Sequence, residues 1–307
     1  MIFSQYTIDL REFPQESAQG KTAGSRFFST AYCTLRQCVL YSPHVHNFFI
    51  LGVTYERLFS YFFGAGTEVE FSLFTPAHIL PVVWMVAMIL LIWKTRDALR
   101  QWKHEESIRY VLAFGMIISE MAYYWRICAL PGSVTGPEQY LPIGVCTWAA
   151  IFTSYMVIGK SQRLFDIVYF WLLCGSAFAL LTPTPLTYTG PTRFRYYQFW
   201  ANHTLDFIGV FYMIFVHRMR PNVRSMIRSY TALVTLAVIA YWANTMVGNG
   251  ANYLYMARPE AAPSVLDILP PTFALRITIM AAVITALFFV AYLPWYLKDK
   301  KAKAVTA

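Results

Sequence analysis

Seven apolar runs follow one another from Phe74 onward, near residues 74–94, 108–129, 140–159, 163–181, 197–216, 229–248 and 273–296. Each is close to the roughly 20 residues that an α-helix needs to cross about 30 Å of hydrocarbon. A water-soluble fold has little place for so many, since a surface helix must keep one polar face. Composition agrees: 57% of the 307 residues are hydrophobic and 13% are charged, about half the charged share of a soluble domain. The expected fold class is all-α, a polytopic membrane protein with seven transmembrane helices.

The basic residues give that bundle an orientation. Lys94, Arg96, Arg100 and Lys103 follow the first run, Lys160 and Arg163 separate the third from the fourth, and Arg218, Arg220, Arg224 and Arg228 separate the fifth from the sixth. Lys298, Lys300, Lys301 and Lys303 follow the seventh. By the positive-inside rule these stretches are expected to be cytoplasmic. The intervening loops, 130–139, 182–196 and 249–272, are poor in Lys and rich in Pro, Gly and Thr, and are expected outside. An odd helix count then leaves the N-terminus outside and the C-terminus in the cytoplasm; one helix more or fewer breaks the alternation. The net charge of +9 thus serves orientation in a cell membrane, and nucleic acid is discarded as a partner. The first residues lack the pattern of a cleaved signal peptide, so the first membrane helix is expected to direct insertion.

Residues 1–70 read as an extracytoplasmic extension, ahead of a membrane domain over 71–307 with a short basic tail. The aromatic run from Asn47 to Phe63 contains Glu56 and Arg57, so it is too short and too interrupted to span and reads as an interfacial segment. His44 and His46 lack a third and fourth ligand nearby, and Cys33, Cys38, Cys128, Cys146 and Cys174 show neither metal spacing nor a dense disulfide framework. No metal and no cofactor is expected.

Under this topology the polar residues gather in the outer leaflet. His78 lies just inside the outer end of the first helix, and Glu120 about six residues inside that of the second. Cys146 and His203 are expected at a similar depth in the third and fifth, roughly 9 Å in at about 1.5 Å per residue. Asp206 is one turn deeper, and Asn252, Tyr253, Asp267 and Arg276 lie near the outer edge of the last helices. Ionisable groups at membrane depth are costly unless paired or hydrated, so the clustering predicts a polar cavity that opens outwards.

Singly, each residue has a structural explanation. Cys146 can be a small buried hydrophobe, His203 a bridge between helices held by Asp206, and Glu120 an ion-pair partner of Arg126 or Arg195. Together, a thiol and an imidazole at one depth suit acyl transfer: the imidazole takes the thiol proton, and a thioester divides one hard transfer into two easier ones. Asp206 or Glu120 would orient the ring. Arg193, Arg195 or Arg276 would hold a phosphate headgroup, and Asn252 or Tyr253 would donate to a developing oxyanion.

Several stretches resemble the YwaF-like bacterial membrane proteins and transmembrane protein 164 family. They are Leu141-Pro-Ile-Gly-Val-Cys146, Arg163-Leu-Phe-Asp-Ile-Val-Tyr-Phe, Leu181-Thr-Pro183, Phe194-Arg195…Phe199…His203, Asn252-Tyr253 and Pro259…Ser264…Leu266-Asp267…Pro270. The resemblance runs from about Phe59 to Pro294. It implies a seven-helix, cysteine-dependent acyltransferase that moves an acyl chain from a phospholipid to a lysophospholipid, with the family's catalytic cysteine matching Cys146 and its histidine matching His203. Two positions depart from the bacterial pattern: Gly144 and Gln198 stand where histidines are usual.

The expected function is therefore a membrane-embedded acyltransferase whose site faces the extracytoplasmic leaflet, acting on phospholipid and lysolipid or glycolipid substrates. The substrate side is expected to involve His78, Arg126, Arg193, Arg195, Gln198, Asn252, Tyr253, Asp267 and Arg276. A transporter using Glu120, His203 and Asp206 as an ion or proton relay is the alternative, although no inverted repeat is evident. A non-catalytic lipid-binding protein is a third. A retinal receptor is excluded, because Phe273 to Tyr296 contains no lysine.

Overall fold

The computed structural model describes residues 58–66, 68–130, 141–183, 186–248, 250–256, 258 and 268–306. Seven long helical segments follow one another among them: α1 Pro76–Gln101, α2 Glu105–Ala129, α3 Val145–Gly159, α4 Gln162–Leu181, α5 Phe194–Phe215, α6 Val223–Val247 and α7 Phe273–Thr306. No strand occurs among the described residues. α1, α4, α6 and α7 are long and apolar enough to cross a membrane, and α3 is apolar but only 15 residues long. His44, His46, Asp267 and most of the proposed interfacial segment lie outside the described residues; residues 58–63 are helical and set Phe62 and Phe63 against the Phe194 ring.

Local chemistry sets the helix boundaries. Pro76 opens α1, where its missing N–H costs nothing. Glu105 and Glu106 put negative charge in the first turn of α2, at the positive end of its dipole. α3 stops where Lys160 turns left-handed (φ 48°), and Ser161 immediately caps α4 by accepting the Leu164 N–H at 3.4 Å. Asn222 and Ser225 cap α6 reciprocally. α1 and α7 continue through their basic stretches, past the expected ends at 94 and 296, because a helix need not stop where hydrocarbon does.

One boundary departs from expectation in a way that matters. α3 begins at Val145 rather than near 140, because Leu141 to Gly144 are not helical. Pro142 restricts Leu141, and Ile143 N–H closes a tight turn onto the Leu141 carbonyl at 2.8 Å.

α5 sits at the centre, packed by α1, α2 and α3; α2 also packs on α3, α3 on α4, and α4 on α6. The α5 interface is close at Gly209, where an added Cβ would lie 2.5 Å from Met116 Cε and 2.8 Å from Thr153 Cγ2. Small residues permit such approach between helices. Around it lie Met116, Ala149, Val157, Val210 and Met213, all buried.

Basic side chains at the other end cap helix C-termini, which favours cations. Arg100 donates to the Val216 carbonyl at 2.9 Å and to Phe215 at 2.5 Å. Arg109 donates to Val157 at 3.2 Å and Ile158 at 2.6 Å, and pairs with Glu105. Asp166 of α4 accepts from Arg228 and from Ser225 at 2.7 Å, joining α4 to α6.

Candidate functional site

The later start of α3 makes Cys146 the second residue of its helix rather than about six residues in. Its thiol therefore lies beside backbone N–H groups that have no intrahelical acceptor, at the end of the helix that favours an anion. Its Sγ lies 3.8 Å from Ser176 Oγ of α4. Ser176 is fully buried and closes a π-helical turn, Leu172–Ser176, inserted in α4. Such turns re-aim side chains and recur at functional positions.

His203 of α5 is buried, and its Nδ1 is 2.9 Å from the Phe199 carbonyl. A carbonyl only accepts, so Nδ1 carries the proton and Nε2 is left with a lone pair. That Nε2 is buried and has no hydrogen-bond partner. Phe199 also packs its ring 4.3 Å from the imidazole. The carbonyl, not a carboxylate, orients the ring: Glu120 accepts from Asn202 Nδ2 at 2.9 Å and shares a hydrogen bond with Thr147, while both oxygens of fully buried Asp206 have no hydrogen-bond partner.

These groups converge from four helices. Asp206, Glu120 and Arg195 are near enough to Cys146 to act on it electrostatically, and Glu120 acts likewise on Asp206. Cys146 and His203 are not hydrogen-bonded to each other, since Sγ faces Ser176 and Nε2 is unpartnered.

The remaining sequence-selected residues divide by location. Arg195 donates to Gln198 Oε1 and lies 4.6 Å from the Tyr123 ring, while Gln198 Nε2 donates to the Ser119 carbonyl at 2.9 Å. Both tie the start of α5 to the end of α2, beside Glu120. Arg126 is buried over the same Tyr123 ring at 5.7 Å.

Others join separate networks. His78 accepts from Phe74 N–H at 3.1 Å and donates from Nε2 to the Leu180 carbonyl at 2.8 Å, so both its nitrogens are used in joining α1 to α4. Arg193 pairs with Glu70 at 2.7 Å, donates to Tyr61 O at 2.8 Å and stacks on the Tyr61 ring. Burial pushes the Glu70 carboxyl up, but the hydrogen bonds from Arg193 and Gly190 N–H and the arginine's charge outweigh it and hold the group below the ordinary carboxylate range.

Asn252 bonds both backbone groups of Arg258, Tyr253 N–H donates to Asn244 at 2.6 Å, and Leu141 N–H donates to Tyr253 OH at 3.3 Å. Arg276, fully buried, donates to the Tyr255 carbonyl at 2.9 Å. These three fasten the loop between α6 and α7 and hold the approach to α3.

Ser176, Thr147, Asn202 and Thr153 escaped sequence reading. Asn202 adjoins His203 and was legible in principle; nothing in Leu172-Leu-Cys-Gly-Ser176 announces a π turn. An apolar groove of about 580 Å³ runs between α1, α2 and α5, lined by Trp84, Met88, Leu112, Trp200, Thr204 and Ile208 among others. At 3.6 residues per turn it lies on the opposite side of α5 from Asn202, His203 and Asp206. No cluster of three or more His, Cys, Asp or Glu suited to a metal occurs among the described residues.

Apolar spanning helices around a buried polar centre define a helical membrane protein. The TMEM164 family's sequence profile matches residues 73–292, and the chain belongs to the TMEM164 family. An uncharacterized protein of Treponema pallidum (strain Nichols) is 29% identical over 155 residues, which cover 50% of this chain and 62% of that one. The chain thus spans less than two thirds of that relative's length. No solved structure matches. These matches bear out the transmembrane protein 164 side of the expected resemblance and do not test its YwaF-like side.

Proposed function

We propose that the chain is a membrane-embedded acyltransferase that carries a fatty acyl group between lipids as a thioester on Cys146. Its seven helices all cross the cell membrane, with the N-terminus and the site on the extracytoplasmic side and the basic tail in the cytoplasm. What supports this reading is a half-buried thiol at the N-terminus of α3 and, on α5 packed against it, a buried imidazole whose tautomer leaves Nε2 ready to accept a proton.

In the first half-reaction the Cys146 thiol leaves Ser176, gives its proton to His203 Nε2, and attacks the ester carbonyl of a phospholipid. The ester C–O bond breaks, and the imidazolium returns the proton to the departing lysolipid oxygen. In the second half the hydroxyl of a lysolipid or glycolipid gives its proton to Nε2 and attacks the thioester. The C–S bond breaks, and the imidazolium returns its proton to the departing Cys146 sulfur, which restores the thiol and the neutral ring. Arg195, bridged to Gln198 beside Glu120, is the cation best placed to attract a phosphate headgroup.

Mass spectrometry of the protein purified from membranes should reveal an acyl adduct on Cys146 that is missing from Cys146→Ser. Transfer between labelled phospholipid and lysolipid should be lost in both Cys146→Ala and His203→Ala, with Tm close to wild type. Transfer that survives either substitution in a folded protein removes the proposal.

A further inference from the structure

Acyl transfer through Cys146 and His203 leaves one fully buried carboxyl of the bundle without a task. Asp206 is fully buried, and both its oxygens lack a hydrogen-bond partner. A buried carboxylate without a partner is among the costliest groups a fold can hold, so the carboxyl either keeps a proton or is met by a cation.

Asp206 has company. Asn202 gives its amide N–H to Glu120, so its Oδ1 is an acceptor, and that atom is buried and unpartnered as well. Asn202 and Asp206 stand one turn apart on the same face of α5. Thr153 of α3 meets this face one turn further on, at Gly209, and its Oγ1 is also buried without a partner. Asn202, Asp206 and Gly209 thus share one side of α5, the side that Thr153 meets.

Every one of these atoms has a lone pair to offer: two carboxylate oxygens, an amide oxygen and a hydroxyl. The unpartnered indole N–H of Trp200 is on another side of α5, the one that packs on His78 of α1. A group of hard oxygens on one side of a helix, none of them accepting a hydrogen bond, suits a cation of the alkali or alkaline-earth kind. Charge then selects within that class. Glu120 is already bonded by Thr147 and Asn202 and lies within the field of Arg195, which leaves the Asp206 carboxyl as the one group that a bound ion would neutralise. One positive charge neutralises it in the low-dielectric interior, and a divalent ion would leave an excess.

We propose that Asp206, Asn202 Oδ1 and Thr153 Oγ1 form a buried binding site for a sodium ion. The site stands on the hydrogen-bond geometry and does not depend on the acyltransferase reading.

Thermal unfolding of the full chain in detergent, at constant ionic strength in sodium, potassium or choline chloride, tests the site. Saturating sodium should raise Tm by roughly 3 °C or more relative to choline, with a saturable dependence on concentration. Asp206→Asn should abolish the sodium increment. Thr153→Val, which keeps the side chain's shape, should move the sodium midpoint upward about tenfold, and it serves where Asp206→Asn fails to fold. Cys146→Ser should keep the full increment, so loss of acyl transfer and loss of the ion site are separable. Equal Tm in the three salts overturns the proposal and leaves a protonated Asp206 as the explanation. A sodium increment undiminished in Thr153→Val or Asp206→Asn overturns it as well.

Discussion

Replacing Gly209 by alanine tests whether α5 is pressed against its neighbours as closely as the structure has it. The new methyl would lie 2.5 Å from Met116 Cε, 2.8 Å from Thr153 Cγ2 and 3.3 Å from Val157 Cγ2. Met116 Cε is the end of a flexible chain and can swing aside. Thr153 is β-branched and stiff at χ1, so relief there requires α3 and α5 to separate by some tenths of an ångström. Overpacking of this kind costs about 1–3 kcal/mol, while alanine for glycine in a helix interior returns about 1 kcal/mol. The net is a loss of about 1 kcal/mol, or a Tm lower by roughly 2–4 °C. Gly115→Ala supplies the opposite sign: its methyl would meet only Leu205, at 3.4 Å, so the helix gain should survive. Thr153→Ser removes the methyl that collides, and in the Gly209→Ala background it should recover about 1 kcal/mol as a coupling term. Thermal unfolding in one detergent suffices for the wild type and the four variants. A Gly209→Ala protein as stable as Gly115→Ala, with no coupling to Thr153, would refute the close approach and with it the placement of Thr153 beside Asp206.

Other perturbations follow from the same contacts. Glu70→Gln should remove about 1–3 kcal/mol at neutral pH by weakening the bonds to Arg193. Because the folded Glu70 carboxyl is held below its unfolded value of 4.5, wild-type stability should be full above that pH and lost as pH falls through the folded value; Tm of the variant should fall less between pH 6 and 4. At the other end, burial lowers His217 despite its 2.8 Å bond to Glu105, so the neutral ring is the folded form. Stability from this residue should be present above the unfolded value of 6.5 and decline as pH falls below it, and His217→Asn should flatten that part of the Tm profile. Arg109→Leu, which leaves two α3 carbonyls without their donor while Glu105 keeps Tyr212 and His217, should cost about 1–3 kcal/mol, read as reduced Tm and yield; Arg109→Lys should recover part of it.

The periodicity of apolar runs and the spacing of basic loops made the helical architecture legible, since both are one-dimensional consequences of hydrocarbon thickness. Helices appear at all seven expected places among the described residues. That Glu120, His203 and Asp206 are buried was legible for the same reason: polar residues in apolar runs are costly wherever they fall and turn towards the interior. What the sequence concealed was the partner of each group. His78 looks like His203 on paper, yet its two nitrogens are both spent on backbone groups, while His203 keeps one free. The difference lies in the loop around Phe74 and the end of α4 at Leu180, and no local pattern reveals contacts at such separation. Arg193 and Arg276 are similar cases: arginines near an outer edge suggest headgroups, and three-dimensional packing commits them to Glu70 and to loop carbonyls.

The start of α3 carries the largest chemical consequence of a small boundary error. Were the helix to begin at 140, Cys146 would lie beyond the first turn, with its neighbouring amides satisfied and the dipole's positive end a turn away. Beginning at Val145, it puts the sulfur beside unsatisfied N–H groups, where a developing thiolate is favoured and where an oxyanion at an attacked carbonyl can draw on the same donors. Pro142 and Gly144 produce that start, the first by restricting Leu141 and the second by serving as the extended cap residue. Gly144 therefore has a structural role of its own. Gly144→Ala is sterically admissible, since its methyl would meet Thr147 Oγ1 no closer than 3.4 Å. It trades a tolerated cap residue for a poor one at a cost of up to about 1 kcal/mol. If the N-terminal amides matter to the chemistry, acyl-adduct formation on Cys146 should fall further than Tm does; an adduct yield that merely tracks the loss of folded protein would show that the helix start serves the fold alone.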